Sequence, residues 1–588
     1  MSEHVNLYQR AHNWISAQLE TTRLHLARPD ALILLAAIGL LTGVLAGLVI
    51  VAFRLLVEQT QGWLLPGDSP EAYELLPQWA RLALPLAGAV LLAIMFRWLA
   101  KGLYVLGVAR LLERMAYHQG HLSMREFLLQ FFGAAIAIIS GHSVGREGPH
   151  IFLGAAAGSL LGQKLALPNN AIRTLVGCGT AAGIAASFNT PLAGVIFALE
   201  VVMLDYHFAS FIPVILSAVA ATLTSNVILG SEPAFSVPTM ALGGLSEIPL
   251  VIVLGLIAGA VSASFTQMVQ MVAANTRNLA VWWKMLLAGL ITGALGLAMP
   301  EIMGIGYDTV SMTLLGSYGA AFLLLLMAVK LIATSACVGL GVPGGMIGPA
   351  LFIGATLGGG LGHLTQSLLP QLDTQAGFFA MLGMGALMGA SLQAPLAALT
   401  ALLELTNNPQ IIMPGMLVVI IAGLTASELF GQESLFITML KAKGLDYQQH
   451  PVLAALRRIG VANSMDKDFV SSPRHIDPDQ GWKLLENKPR WIVITEDHTP
   501  TAILSGINLA GYLEGAQERP QEDIDLMEIP GKRLQLSPVH LHETLQEALD
   551  KLNKGEGEAL YVRRMSAPGI WRVYGILTRE QIESAYQL

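Results

Sequence analysis

The sequence predicts an all-α polytopic membrane protein of broken and tilted helices in two repeats, followed by a soluble α/β domain. Three observations carry this prediction. Apolar segments follow one another from about Ala31 to Leu440, an internal duplication keeps its glycines and prolines in place, and ordinary soluble composition begins at Lys441. The 588 residues are 53% hydrophobic and 13% charged, with a mean hydropathy of +0.57. Soluble chains carry about a quarter charged residues, so the deficit points to lipid as the solvent. Stretches such as Ala31–Val51, Leu82–Ala100, Pro249–Val272 and Ala320–Ala336 are each long enough to cross hydrocarbon as helices.

The first 30 residues are polar and mixed, with no signal-peptide core, and are expected to form a cytoplasmic segment. Arg10, Arg23 and Arg28 precede the first span, and Arg97, Lys101, Arg110, Arg114 and Arg125 follow the second. The loop between them holds Glu58, Asp68, Glu71 and Glu74. Basic outer flanks around an acidic middle place the N-terminus in the cytoplasm. Lys441 and Lys443 put the C-terminal domain there too, in a bacterial inner or plasma membrane. The net charge of −7 argues against nucleic acid as a partner. Cys178 and Cys337 lie inside apolar segments and read as small buried hydrophobes.

The duplication is read directly. Gly145-Arg-Glu-Gly-Pro149 runs on to Phe152, Gly154, Gly158 and Gly162. Gly345-Met-Ile-Gly-Pro349 runs on to Phe352, Gly354, Gly358 and Gly362, 200 residues later at every position. A second pair follows: Ser187-Phe-Asn-Thr-Pro191 leads to Glu200, and Ser391-Leu-Gln-Ala-Pro395 leads to Glu404, 204 residues later. The repeats span about 31–230 and 249–440. Each holds apolar segments too short to span, punctuated by Gly and Pro, which marks discontinuous helices meeting near the midplane. The sequence alone leaves open whether the repeats are parallel or inverted.

Glycines leave backbone N–H groups unshielded, and proline suits the first turn of a helix. The helices that start after Gly145 and Gly345 therefore present unpartnered amides with partial positive charge, and two such starts aimed at one spot would hold a small anion by dipoles alone. Candidate anion-binding residues are Gly145, Arg146, Gly148, Gly345, Met346, Ile347 and Gly348. Ionisable groups at membrane depth are functional candidates, and here they include Glu147, Glu200 and Glu404. Glu147 sits at a helix start, where its carboxylate competes with the anion when ionised and withdraws when protonated: a gate. Glu200 and Glu404 end apolar runs, where the alternative is a bond to a neighbouring helix end. His142 and His150 read as packing residues.

These residues resemble the CLC chloride channels and proton/chloride exchangers: Gly145–Pro149, Gly344–Pro349 and Asn189-Thr-Pro-Leu-Ala-Gly194 match that family's motifs, over roughly Ala31 to Leu440. The resemblance implies an inverted-repeat fold and a homodimer with one pore per subunit, and it identifies Glu147 with the external gating glutamate. It also brings expectations that this chain departs from. Where the family has a serine in Gly-Ser-Gly-Ile-Pro, this chain has Leu106, beside Gly107; where it has a tyrosine on the last membrane helix, Phe436 stands. With both hydroxyls missing, the inner anion site rests on backbone amides. Exchangers place a proton-transferring glutamate directly after Glu200, and Val201 stands there instead, with Asp205 one turn on. The proton pathway then reduces to Glu147 and Glu200. On these departures the expectation is passive, gated chloride conduction, the alternative being a proton-coupled chloride antiporter.

From about Val461 the pattern changes to short β-runs and amphipathic helices: strands at Arg490–Thr495 and Ala502–Ser505, then a helix at Asn508–Leu513. Ala559–Arg563, Trp571–Leu577 and the helix Arg579–Tyr586 repeat that order. The pair resembles two CBS modules, at 455–515 and 525–588. Such pairs bind adenine nucleotides through Ser/Thr and an Asp three residues on; Ser505 is followed by Asn508 and Thr578 by Gln581, so both carboxylates are missing and a structural or dimerising role is as well supported. A CBS-containing magnesium channel would need carboxylates lining the pore, which the scattered glutamates do not supply. No enzyme motif, cofactor site or metal-ligand cluster is evident.

Overall fold

The computed structural model describes Leu26 and residues 31–585, apart from 68–70, 101–106, 205–207, 232–233, 236, 239, 373, 443, 446–450, 498, 516–522 and 568–569. Apart from Leu26, the N-terminal segment 1–30 lies outside the described residues, as do Leu106 and Asp205. The contacts divide the chain into a helical unit, Leu35–Lys164 with Ile172–Tyr447, and a second unit built mainly from Gln448–Leu588.

In the first repeat the helices are α1 (Leu32–Leu64), α2 (Gln78–Met95), α3 (Val108–Tyr117), α4 (Met124–Ile139), α5 (Glu147–Lys164), α6 (Asn169–Phe188), α7 (Pro191–Phe197) and α8 (Phe208–Leu229). In the second they are α9 (Ile248–Asn275), α10 (Val281–Ala298), α11 (Tyr307–Leu314), α12 (Ala320–Gly339), α13 (Ile347–Leu368), α14 (Ala376–Leu392), α15 (Pro395–Thr406), α16 (Ile412–Leu424) and α17 (Leu435–Lys441). Among the described residues nine helices are long and apolar enough to cross a membrane. Pro191–Met203, Ala376–Leu392 and Pro395–Thr406 are apolar but shorter, the broken elements that the Gly and Pro punctuation predicts.

The glycines after each loop set the packing. A Cβ at Gly154 or Gly158 would run into the backbone of Gly179 or Leu175 on α6, and one at Gly354 or Gly358 into Gly383 or Phe379 on α14. Without a hydrophobic force between helices in lipid, close backbone approach through small residues supplies the contact. That requirement is the same in both halves, which is why the duplication preserves glycine and not merely apolarity. Every residue of α14 is buried.

Two of the basic residues counted in the flank after the second span have a local task. Ser123 and Glu126 form a capping box at the start of α4, and the buried Glu126 carboxylate also takes Arg110 and Arg114 of α3, each at 2.8 Å. A carboxylate removed from water needs such partners.

In the second unit the strands are β1 (Phe469–Pro473), β2 (Trp491–Glu496), β3 (Thr499–Ser505), β4 (Arg533–His540), β5 (Ala559–Ala567) and β6 (Ile570–Thr578), adjacent in that order in one six-stranded sheet. With helices α18 (Pro478–Leu485), α19 (Gly506–Gly515), α20 (Leu545–Asn553) and α21 (Arg579–Ser584) they make two copies of β-α-β-β-α. In each copy the first two strands are parallel and the last two antiparallel. The sequence reading found the antiparallel pair of each copy and missed β1 and β4, whose polar residues obscure the apolar alternation.

Candidate functional site

The two glycine loops meet. Gly145 N–H donates to the Gly345 carbonyl at 2.8 Å, and Gly345 N–H to the Gly145 carbonyl at 2.6 Å, an antiparallel bridge between the repeats. A Cβ on Gly148 would lie 2.8 Å from Gly345 Cα, so no side chain fits where the loops cross.

Glu147 opens α5 and is fully buried. Its carboxylate reaches the other repeat: Oε2 accepts the Gly348 N–H of α13 at 2.9 Å, and Oε1 accepts the Tyr307 hydroxyl of α11. A negative group therefore rests on the first turn of α13, where an orphan amide and the helix dipole favour it. A Cβ at Gly348 would stand 2.8 and 2.9 Å from the two carboxylate oxygens, so glycine there is the condition for the carboxylate to be seated.

Two cavities adjoin residues around this seat. One, of about 30 Å³, is lined by Gly107, Val108, Gly148, Gly345, Met346 and Phe436 among others. It is large enough for a water-sized species, and none of its described lining residues carries a hydroxyl. The other, of about 300 Å³, is lined by Arg54, Glu58, Glu71, Arg146, Tyr307 and Asp308 among others. Gly107 and Gly306, 199 residues apart, precede the short helices α3 and α11 with φ of +81° and +83°. Gly107 and Val108 border the smaller cavity, and Tyr307, the residue after Gly306, borders the larger one.

Gly145, Gly148, Gly345, Met346 and Gly348 thus come together, with Gly107 and Phe436 on the smaller cavity. Arg146 and Ile347 are candidates through their backbone amides, and their side chains turn elsewhere. The Arg146 guanidinium turns to the larger cavity, 3.4 Å from Glu58 and 5.2 Å from the centre of the Tyr307 ring. Ile347 faces an apolar pocket with Phe188, Phe197 and Leu351, because an aliphatic side chain gains more there than beside a carboxylate.

Glu200 and Glu404 occupy equivalent and reciprocal places. Glu200 accepts the N–H groups of Leu396 and Ala397 at the start of α15, at 3.2 and 2.7 Å. Glu404 accepts those of Leu192 and Ala193 at the start of α7, at 3.0 and 2.7 Å. Each repeat's glutamate caps the other repeat's broken helix, the helix-end role weighed against a proton pathway. Val201 is buried beside Glu200. His142 and His150 bond to Ser140 and Ser187, at 2.9 and 2.7 Å.

In the second unit Thr578 is engaged in a capping box with Gln581 at the start of α21, and Ser505 ends β3.

Sequence reasoning missed Tyr307, Lys330 and the structural part of Glu71. Lys330 of α12 is fully buried and donates to the carbonyls of Ile302, Gly304 and Ile305, at 2.9, 2.9 and 3.2 Å. Glu71 accepts the N–H groups of Gly306 and Tyr307, at 3.1 and 2.8 Å. The signal that would have found Tyr307 is the repeat itself, since 199 residues separate Gly306 from Gly107.

Residues 87–427 match the family described as voltage gated chloride channel. A ClcB-like chloride channel protein of Ralstonia nicotianae is 34% identical over 399 residues, 66% of this chain and 93% of that relative. The H(+)/Cl(-) exchange transporter ClcA of Cronobacter sakazakii is 31% identical over 430 residues, 70% of this chain and 90% of that one. Among solved structures, a slow cyanobacterial Cl-/H+ antiporter superposes with a TM-score of 0.62 at 23% identity, covering 70% of this chain and 97% of its own. A eukaryotic CLC transporter gives 0.60 at 19% identity, covering 93% of this chain and 97% of its own. At such identities these two share the fold.

Proposed function

Since the chain belongs to the voltage gated chloride channel (CLC) family, we propose that it is a chloride transporter in which Glu147 exchanges its seat with the anion and carries protons against it. The observation that carries this reading is the buried Glu147 carboxylate, held by the α13 amide of Gly348 and the Tyr307 hydroxyl. A buried carboxylate there blocks the path when ionised and has reason to leave when protonated. Exchange is favoured over the passive conduction expected from the sequence because the relatives named above include a proton/chloride exchanger, and an antiporter shares the fold. Val201 in place of an inner glutamate is the one residue that still favours conduction.

On this reading the small cavity holds chloride through backbone amides, both ends of the chain face the cytoplasm, and two copies form a dimer in the membrane. The second unit acts as a CBS pair with a structural part to play, and the chain is a carrier rather than an enzyme. The test is flux in reconstituted vesicles under an imposed chloride gradient. Exchange requires that protons move uphill in the parent protein and that Glu147→Gln abolish that movement while chloride still passes. Chloride flux without uphill protons would return the reading to passive conduction, and cation-selective reversal potentials would remove it from anion transport altogether.

A further inference from the structure

The hydroxyl that the small cavity lacks is present at the larger one. Val108 opens α3 on the small cavity, and its equivalent Tyr307 opens α11 on the large one. The Tyr307 hydroxyl and the Gly348 N–H are the two donors that hold the Glu147 carboxylate. When the carboxylate withdraws, both donors lose their acceptor, and a buried donor without one is costly.

The phenol cannot simply follow the carboxylate. Its ring is packed between Phe188 and Phe235, at centroid distances of 6.0 and 5.4 Å, with the Arg146 guanidinium over its face. The loop before it is gripped from both sides. The Lys330 ammonium holds three carbonyls between Ile302 and Ile305, and the Glu71 carboxylate holds the amides of Gly306 and Tyr307. A Cβ at Gly306 would stand 2.7 Å from the Phe352 ring, which keeps the turn close to α13.

We propose that Tyr307 is an anion ligand: its O–H, with the Gly348 N–H, forms the site chloride occupies when Glu147 leaves. Hydroxyl coordination is thereby placed on the large-cavity side of the pathway instead of the small one. The proposal rests on Glu147 being the gate.

The experiment compares chloride binding by titration calorimetry to the purified, full-length Glu147→Gln protein and to Glu147→Gln with Tyr307→Phe. Phenylalanine keeps the ring packing and removes only the donor. A hydrogen bond to an ion corresponds to about a tenfold or greater change in affinity, so the second variant is expected to bind chloride about ten times more weakly. Equal affinities would overturn the role of Tyr307 and leave the gate standing; no chloride binding by Glu147→Gln at all would overturn the gate and this proposal with it. A crystal of Glu147→Gln soaked in bromide gives an answer even if the double variant does not fold. Anomalous density within hydrogen-bond reach of Tyr307 Oη and Gly348 N is expected, and bromide confined to the small cavity would refute the proposal.

Discussion

The reciprocal helix caps allow Glu200 to be tested against an internal control. Glu200 and Glu404 make the same pair of bonds to the start of the partner repeat's helix, so glutamine at either position removes the same interaction. It keeps one oxygen as acceptor and turns an NH2 toward the other amide. One bond to a charged acceptor is lost, worth about 1.5–3 kcal/mol, and the partial exposure of both sites brings this to about 1–2 kcal/mol. Melting of the detergent-solubilised protein is expected about 1–2 °C lower for each variant. Transport separates them. Glu404→Gln should keep the parent's ratio of protons to chloride, whereas Glu200→Gln should lower it if Glu200 passes protons to Glu147. A Glu404→Gln protein that melts with the parent would refute the capping argument. Equal loss of proton flux in both variants would trace it to a disordered helix end and remove Glu200 from the proton route.

Gly348→Ala puts a methyl within 3 Å of both Glu147 oxygens, so the carboxylate is expected to lose its seat and proton-coupled flux to fall as in Glu147→Gln; parent-like coupling in vesicles would contradict this. Glu71, between the first two spans, is pushed up to about 7 from 4.5, first by removal from water and then by Asp308. Between those values the folded chain holds a proton that the unfolded chain releases, so this group's contribution to stability falls as pH rises and is least favourable above about 7. The gain in melting temperature on Glu71→Gln should therefore grow from pH 5 to pH 8, and a constant difference would show that the carboxyl is not held protonated. In the second unit, Thr578→Ala removes the capping box of α21 and should destabilise that unit by about 1 kcal/mol. Ser505 and Thr578 are followed three residues on by Asn508 and Gln581 instead of an Asp, so millimolar AMP or ATP should leave its melting unchanged, and a nucleotide-dependent shift would assign it a ligand after all.

Much of the centre was legible because the chain states it twice. A Gly-x-x-Gly-Pro motif repeated 200 residues apart demands two equivalent close approaches, and Gly145, Gly148, Gly345 and Gly348 are found where two loops and a carboxylate leave no room for a Cβ. The unread parts lack such a mark. Tyr307 sits in an unremarkable Gly-Tyr-Asp, and its meaning comes from packing against Phe188 and Phe235, distant in sequence. Arg146 adjoins Glu147 in sequence, yet its long side chain reaches past the loop to Glu58, a contact no local pattern announces. Lys330, a single cation in an apolar run, is satisfied by three carbonyls that no pattern announces.

The match between the two loops makes one of their differences informative. The two loops are matched glycine for glycine, yet the residue that opens α5 is Glu147 and the one that opens α13 is Ile347. With a glutamate in both, two carboxylates would compete for adjoining helix starts, and like charges in low dielectric would force one to stay protonated. With isoleucine in both, nothing would exclude an anion at rest. One carboxylate, carried by the first repeat and seated on the second, leaves the α5 start available to an anion while it occupies the α13 start. The exchange of isoleucine and glutamate between positions 147 and 347 tests this. Because the side chain at 347 faces the apolar pocket with Phe188 and Phe197, a carboxylate moved there does not reach the α5 start, and the double variant is expected to lose proton-coupled flux; a double variant that keeps it would show that either loop can carry the carboxylate.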